Sequence, residues 1–164
     1  MRAFVIDAYK KPVHEAAIPE PVVGDTDVLI QVAAVGLNIL DEKVRAGEFT
    51  AFLPYPTPLV LGHDVAGTVI GIGTAVHSFA VGDTVFARVR DHRIGTLTER
   101  IAADEADVAL SPASVTLIEA ASLPLVALTA WQALIDQGGV SAGQRALIHA
   151  GAGAVGRIAL QHAK

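Results

Sequence analysis

Two parts of this 164-residue chain place residue types at spacings that can do chemistry. Near its end the chain reads Ala-Leu-Ile-His-Ala-Gly-Ala-Gly-Ala-Val-Gly from Ala146, so Gly151, Gly153 and Gly156 form a G-x-G-x-x-G loop. The loop follows an apolar run and opens a helical pattern. In that setting the first glycine permits a tight turn, the second lets backbone approach a pyrophosphate, and the third lets helix and strand pack closely. N–H groups at the helix start, around Ala154 and Val155, then face the phosphates with the positive end of the helix dipole. The competing reading is an ordinary Gly/Ala-rich turn in an alanine-rich chain. The residue about 20 positions further on that separates NADH from NADPH falls past Lys164, so the loop alone leaves that choice open.

The second part lies between residues 38 and 64. Asn38 has an amide that both donates and accepts hydrogen bonds, which suits a site facing a carboxamide or a substrate carbonyl, and suits equally a turn at a strand end. Lys43 and Arg45 either attract phosphates and polarise a carbonyl or stand solvated on a short helix, their more common fate. Tyr55 lies in a proline-rich stretch, residues 54–58, expected to loop at the mouth of a cleft. His63 sits between Gly62 and Asp64. With no partner that the sequence can place, the simpler reading is a core histidine satisfied by a neighbour, and the sharper one is a hydrogen-bonding group beside substrate. Gly62 and Gly67 are expected where the backbone is tight. The other histidines outside the glycine loop, His14, His77, His92 and His162, show no ligand spacing and are expected at the surface.

These residues need elements to hold them. Short β-type runs at residues 3–7, 28–35, 65–72, 84–89 and 99–102, broken by Gly, Pro and Asp, predict a mainly β module. Short strands with Gly-rich corners suggest a partly open barrel, because closure hides sheet edges. After Pro112 the pattern turns helical: residues 116–136 carry Leu117, Ala120, Ala121, Leu125, Leu128 and Trp131 at helical spacing, with Pro124 dividing them into two helices and Gly138-Gly139 ending the second. Trp131 is expected in core or interface packing. Residues 145–149 read as a buried strand, and the chain from Ala154 as a helix. The domain boundary is expected between residues 115 and 116.

Composition narrows the classes. Apolar residues make up 52% and charged residues only 18%, against a usual ~25%, which excludes a disordered chain. The excess of apolar surface points to burial against another subunit, giving a homo-oligomer, or against a part of the protein beyond these residues. A net charge of −5 offers no basic stripe for nucleic acid. No run of about 18 uncharged apolar residues is present to span a bilayer. Without cysteine there is no disulfide framework and no thiolate metal site, and the reading is a cytoplasmic protein acting on a small molecule.

A barrel-like β module, a helix pair and then G-x-G-x-x-G, in that order, resembles the N-terminal half of the medium-chain dehydrogenase/reductase superfamily. The specific pieces are the runs from Gly36 to Gly47, from Pro58 to Gly67, Val81-Gly82-Asp83-Thr84-Val85, and Leu128-Thr129-Ala130-Trp131. The resemblance implies a GroES-like substrate domain over residues 1–115, lacking its C-terminal return segment, then connecting helices and the first βα unit of a Rossmann domain over 116–164. Catalytic zinc needs three protein ligands. At the positions where the zinc-dependent branch has cysteine, histidine and cysteine, this chain has Asn38, His63 and about Leu125, and the four-cysteine structural lobe is absent. The pattern is similar to the zinc-free, quinone-oxidoreductase-like branch. That implies an NADPH-dependent (NADH not excluded), metal-free reductase of quinones or α,β-unsaturated carbonyls in the full-length parent, with these 164 residues alone expected to be inactive and to bind little or no NADPH. The candidate site residues are then Asn38, Lys43 and Thr129 in catalysis, Gly151, Gly153, Ala154, Val155 and Gly156 in cofactor binding, and Asn38, Tyr55 and His63 in the substrate cleft. For Thr129 the competing reading is a helix hydroxyl bonded back to a carbonyl. Two other functions stay open: a non-catalytic GroES-like assembly module whose helix face over residues 117–135 seeks a partner, and an enoyl-thioester reductase of the same superfamily.

Overall fold

The computed structural model describes all 164 residues. They divide into two compact units, Met1–Ser122 and Leu123–Lys164.

The first unit is built on β3 (Asp27–Gly36) and β5 (Asp64–Ile72), which pair antiparallel. Both are rich in Val, Ile and Ala, which suit a pleated, buried surface. With β6 (Thr84–Arg88), β7 (Arg100–Asp104) and β8 (Val108–Leu110) they make a five-stranded sheet of order β7-β3-β5-β6-β8. A second sheet of order β2-β1-β4 joins β1 (Arg2–Ile6), β2 (His14–Ala17) and β4 (Leu59–Val60). The sheets are open, and β1 is tied to the segment just before β7 by the Ala3–Thr98 bridge and by the Phe4 N–H to Leu97 and Glu99 N–H to Arg2 carbonyl bonds, in keeping with the partly open module expected.

Val28, Ile30, Val65, Val69, Val85 and Ile101 form the core on one face of the larger sheet. The opposite face of β5 is buried as well, because α2 (Leu117–Ala121) lays Ala120 and Ala121 on Ala66. That packing carries the first unit through Ser122, later than the expected change at residue 115. Register shifts in β3 opposite β5 fall between Leu29 and Ile30 and between Val32 and Ala34. There Gly67 is tight, as expected: a Cβ on it would stand 2.1 Å from the Gln31 carbonyl oxygen.

Asp27, at the start of β3, is 4% exposed and takes a bidentate contact from Arg93, Nη1 to Oδ1 at 2.7 Å and Nη2 to Oδ2 at 2.8 Å. The Gly24 N–H also donates to it. The Arg93 hydrogen bonds hold the Asp27 carboxyl below its ordinary range, outweighing burial, which pushes the other way. A carboxyl depressed in the folded state stabilises the fold above its unfolded pKa of about 4, and that stability is lost as pH falls toward the folded value. Asp27→Asn is therefore expected to cost about 1–2 kcal/mol at pH 7, where it breaks a charged hydrogen-bonded pair. The cost should be smaller at pH 3, below the unfolded pKa, than at pH 7. Urea midpoints of wild type and variant at both pH values measure this, and a pH-independent difference would refute it.

The second unit begins with α3 (Pro124–Trp131), with Pro124 at its first turn as the sequence predicts. A π-helical stretch over Gln132–Gln137 follows, and α4 (Ala154–His162) packs on α3. Two expectations differ here. Residues 145–148 lie in no strand, and Leu147 is 84% exposed: a parallel strand needs neighbours for its N–H and C=O groups, and no strand forms in residues 123–164. The βα unit is thus present as a loop and helix without its ladder. Trp131 is 48% exposed rather than core-packed, and it meets His162 edge to face at 5.6 Å.

Candidate functional site

The segment after β3 turns into α1 (Ile39–Ala46) with Asn38 as its N-cap in extended conformation and Gly47 closing the other end at φ 77°. Asp41, three residues into this turn, accepts from the Asn38 N–H through Oδ2 at 2.8 Å. Its other oxygen stands 2.6 Å from Nδ1 of His63. Because a carboxylate only accepts, the proton on that edge belongs to His63 Nδ1. The side-chain amide of Asn38 donates to Asp64 Oδ2 at 3.0 Å and approaches the Gly36 carbonyl at 3.4 Å. Two hydrogen-bonded pairs, joined through Asn38, therefore tie α1 to the β4–β5 turn, with His63 and Asp64 each 1% exposed and Asp41 6%.

The turn depends on Gly62. It adopts φ 107°, a region L side chains rarely enter, and a Cβ there would stand 2.2 Å from Thr96 Oγ1. The chain can therefore leave β4, reverse, and present His63 inward before β5 begins.

His63 and Tyr55 line one cleft of about 150 Å³ in the first unit, with Leu40, Val44, Phe49, Phe52 and Leu53 supplying apolar wall and the ion-paired Arg88 and Asp91 a polar side. Tyr9 Oη holds the Tyr55 backbone, accepting from its N–H at 2.7 Å and donating to its carbonyl at 2.9 Å. The Tyr55 hydroxyl is buried without a hydrogen-bond partner in the protein, and burial, with the Asp91 charge, pushes its pKa up to about 12.

The other candidates fare differently. Lys43 gives its charge to Glu48 at 2.8 Å on the surface, and Arg45 pairs with Glu42, so neither cation faces the cleft. Thr129 donates to the Leu125 carbonyl at 2.7 Å, the ordinary helix-hydroxyl arrangement. The donor expected of Asn38 toward a substrate is turned to Asp64 and Gly36. Asp41, Arg88 and Asp91 were not anticipated. For Asp41 the signal was available: Asn-x-x-Asp at a helix start has the spacing of a capping box.

In the second unit the glycine loop caps α4 through Gly153, and the Gly153 N–H bonds the Ala150 carbonyl at 2.9 Å. The first-turn N–H groups of Ala154, Val155 and Gly156 make no backbone hydrogen bond, as helix starts require. The third glycine is obligatory: a Cβ on Gly156 would stand 2.3 Å from the Ala150 oxygen and 2.8 Å from Gly151 Cα. This is a cradle of backbone N–H groups closed by a side-chain-free contact, and it fits the pyrophosphate of a dinucleotide.

Fold and site together define a GroES-like β module followed by a helical unit that carries a glycine loop at the start of α4. Residues 24–113 match the alcohol dehydrogenase GroES-like domain family. The chain belongs to that family, in the quinone-oxidoreductase-like branch of the medium-chain dehydrogenase/reductase superfamily. It is 39% identical over 156 residues to an NADPH-dependent alkenal/one oxidoreductase, chloroplastic, of Arabidopsis thaliana, covering 92% of this chain and 40% of that protein. Among solved structures it is similar to an alcohol dehydrogenase superfamily protein from Novosphingobium aromaticivorans, at TM-score 0.93 and 40% identity, over 99% of this chain and 50% of the other. It is also similar to a quinone oxidoreductase of Pseudomonas syringae pv. Tomato DC3000, at TM-score 0.86 and 30% identity, over 99% of this chain and 49% of the other. The chain thus spans half or less of the length of these relatives. No helix in it is long and apolar enough to cross a membrane.

Proposed function

We propose that the protein carrying these residues is a metal-independent, NADPH-dependent reductase of quinones or α,β-unsaturated carbonyl compounds. The observation that carries this reading is the glycine loop, where Gly156 closes on Ala150 and leaves the N–H groups of Ala154 and Val155 for phosphate. The relatives' names, an alkenal/one oxidoreductase and a quinone oxidoreductase, support the substrate class. The donor set does not fit zinc. Asn38 and Leu125 are not zinc-binding side chains of the usual kind, and the Asn38 amide is already committed to Asp64, which leaves His63 as a lone imidazole where three ligands are needed.

When bound, the nicotinamide supplies the hydride, and the protein's part is position and charge stabilisation. Gly151, Gly153, Ala154, Val155 and Gly156 hold the pyrophosphate. His63 and Tyr55 line the substrate cleft, and Asn38 holds the β4–β5 turn that presents His63 to it. Homo-oligomeric assembly belongs to the same proposal, supported by half-exposed or exposed Ile118, Leu128 and Trp131. So does a cytoplasmic setting, supported by the absence of cysteine.

The test is NADPH oxidation by the protein, followed by absorbance, with a quinone, an enone and an enoyl thioester, before and after exhaustive chelation. Turnover of quinone or enone that survives chelation is the expected result. Loss of activity on chelation would overturn the metal-independent reading, preference for the thioester would move the substrate class, and NADPH binding without turnover of any substrate would favour a binding module.

A further inference from the structure

Arg157 follows the third glycine of the loop, within the first turns of α4, and the reductase reading gives it no part. In a helix the Cα–Cβ bond tilts toward the N-terminus, so this side chain runs back toward the loop. There Nε donates to the Ala152 carbonyl at 3.0 Å, its one side-chain hydrogen bond, and this holds the guanidinium against the loop. Arginine carries five N–H donors in a fixed planar fork. One is used, and those on the two Nη groups have no partner in the protein. The charge setting differs from the rest of the chain as well. Each of the six arginines of the first unit meets a carboxylate. Arg157 meets none, and Asp136 is the sole acid in residues 123–164, against Arg145, Arg157 and Lys164. A chain of net charge −5 therefore has a net positive second unit.

We infer that Arg157 is a further cofactor-binding residue, whose Nη groups donate to the dinucleotide pyrophosphate that the loop N–H groups hold. This rests on the glycine loop being the cofactor site, as proposed above. The N–H groups of Ala154 and Val155 bring hydrogen bonds and only the partial charge of a helix end, whereas a guanidinium brings a full charge and a fork that matches phosphate oxygens two at a time. The bond from Nε to Ala152 pre-places the side chain, so little rotamer freedom remains to be lost on binding. The pyrophosphate is assigned rather than the 2′-phosphate because the ribose is read about 20 positions beyond the loop, while Arg157 is tied to the loop itself.

Binding of NADPH and of NADH to the full-length protein carrying these residues tests this, by titration of cofactor fluorescence, for wild type, Arg157→Gln and Arg157→Lys. Arg157→Gln is expected to bind both cofactors about tenfold more weakly, the loss of a charged hydrogen bond at an exposed site. The two losses should be equal, because both cofactors carry the pyrophosphate. Arg157→Lys keeps the charge without the fork and should recover part of the affinity. Raising salt from about 0.02 to about 0.5 M screens the charge, so wild type should lose more affinity than Arg157→Gln. Amide hydrogen exchange over residues 150–162 should match wild type in both variants without cofactor, which a merely structural staple on Ala152 would not allow. Unchanged affinity in Arg157→Gln, a loss confined to NADPH, equal salt dependence, or faster exchange across the loop each overturns the role of Arg157 and leaves the loop as the cofactor site. Failure of wild type to bind either cofactor would overturn the loop reading, and the role of Arg157 with it.

Discussion

Alanine at position 41 is expected to lower the unfolding free energy by about 3–4 kcal/mol, from a charged hydrogen bond of about 1.5–3 kcal/mol and a helix-start contact of about 1 kcal/mol. Asp41 spends one oxygen on His63 and the other on the Asn38 N–H, so its loss strands a buried imidazole and uncaps α1 together. A carboxylate in the first turn also faces the positive end of the helix dipole, which adds a few tenths of a kcal/mol. Urea unfolding with an unchanged slope and a lowered midpoint would show this. His63→Ala should cost less than Asp41→Ala, because Asp41 keeps its capping contact, and the double variant should fall short of the sum by at least about 1 kcal/mol. A loss under about 1 kcal/mol in Asp41→Ala, or full additivity of the pair, would show that the dyad does not hold the turn.

That pair also shows where the sequence is legible and where it is not. The strands β3 and β5 are readable because Val- and Ile-rich runs record their own burial, and Pro124 marks a helix start by chemistry that acts within one turn. β2, β4 and β8, at four, two and three residues, leave no such record, since each is held by a neighbour rather than by its own pattern. The run at 145–148 misleads for the complementary reason: it has strand composition but no ladder partner in the second unit. In the site, Asn38, Tyr55 and His63 were found as residue types. What joins them was not, because Asp41 and His63 lie 22 positions apart and the contact exists only once β3 and β5 pair. The partners of Lys43 and Thr129 were hidden from the sequence for the same cause. A side chain's availability depends on partners, and Glu48 and the Leu125 carbonyl already supply them.

Two glycines three residues apart separate a loop that must fold from a loop that must bind. Gly156→Ala puts a methyl 2.3 Å from the Ala150 oxygen and 2.8 Å from Gly151 Cα, backbone atoms that cannot swing aside as a side chain would. The loop has to open, and NADPH affinity is expected to fall at least about a hundredfold, roughly 2.7 kcal/mol. At Gly153 the added methyl meets only the Ala150 oxygen at 3.3 Å, which a few tenths of an ångström relieves. Gly153→Ala should therefore keep the loop and α4, seen as unchanged amide hydrogen exchange over residues 150–162, and still weaken NADPH about tenfold by standing where backbone must approach pyrophosphate. Gly156→Ala should speed exchange across the same residues. The first unit shares no residue with this loop, so urea unfolding followed there should be unchanged in both variants. If Gly153→Ala binds NADPH as well as wild type, or Gly156→Ala leaves both exchange and binding intact, the loop is an ordinary turn and the cofactor must be held elsewhere.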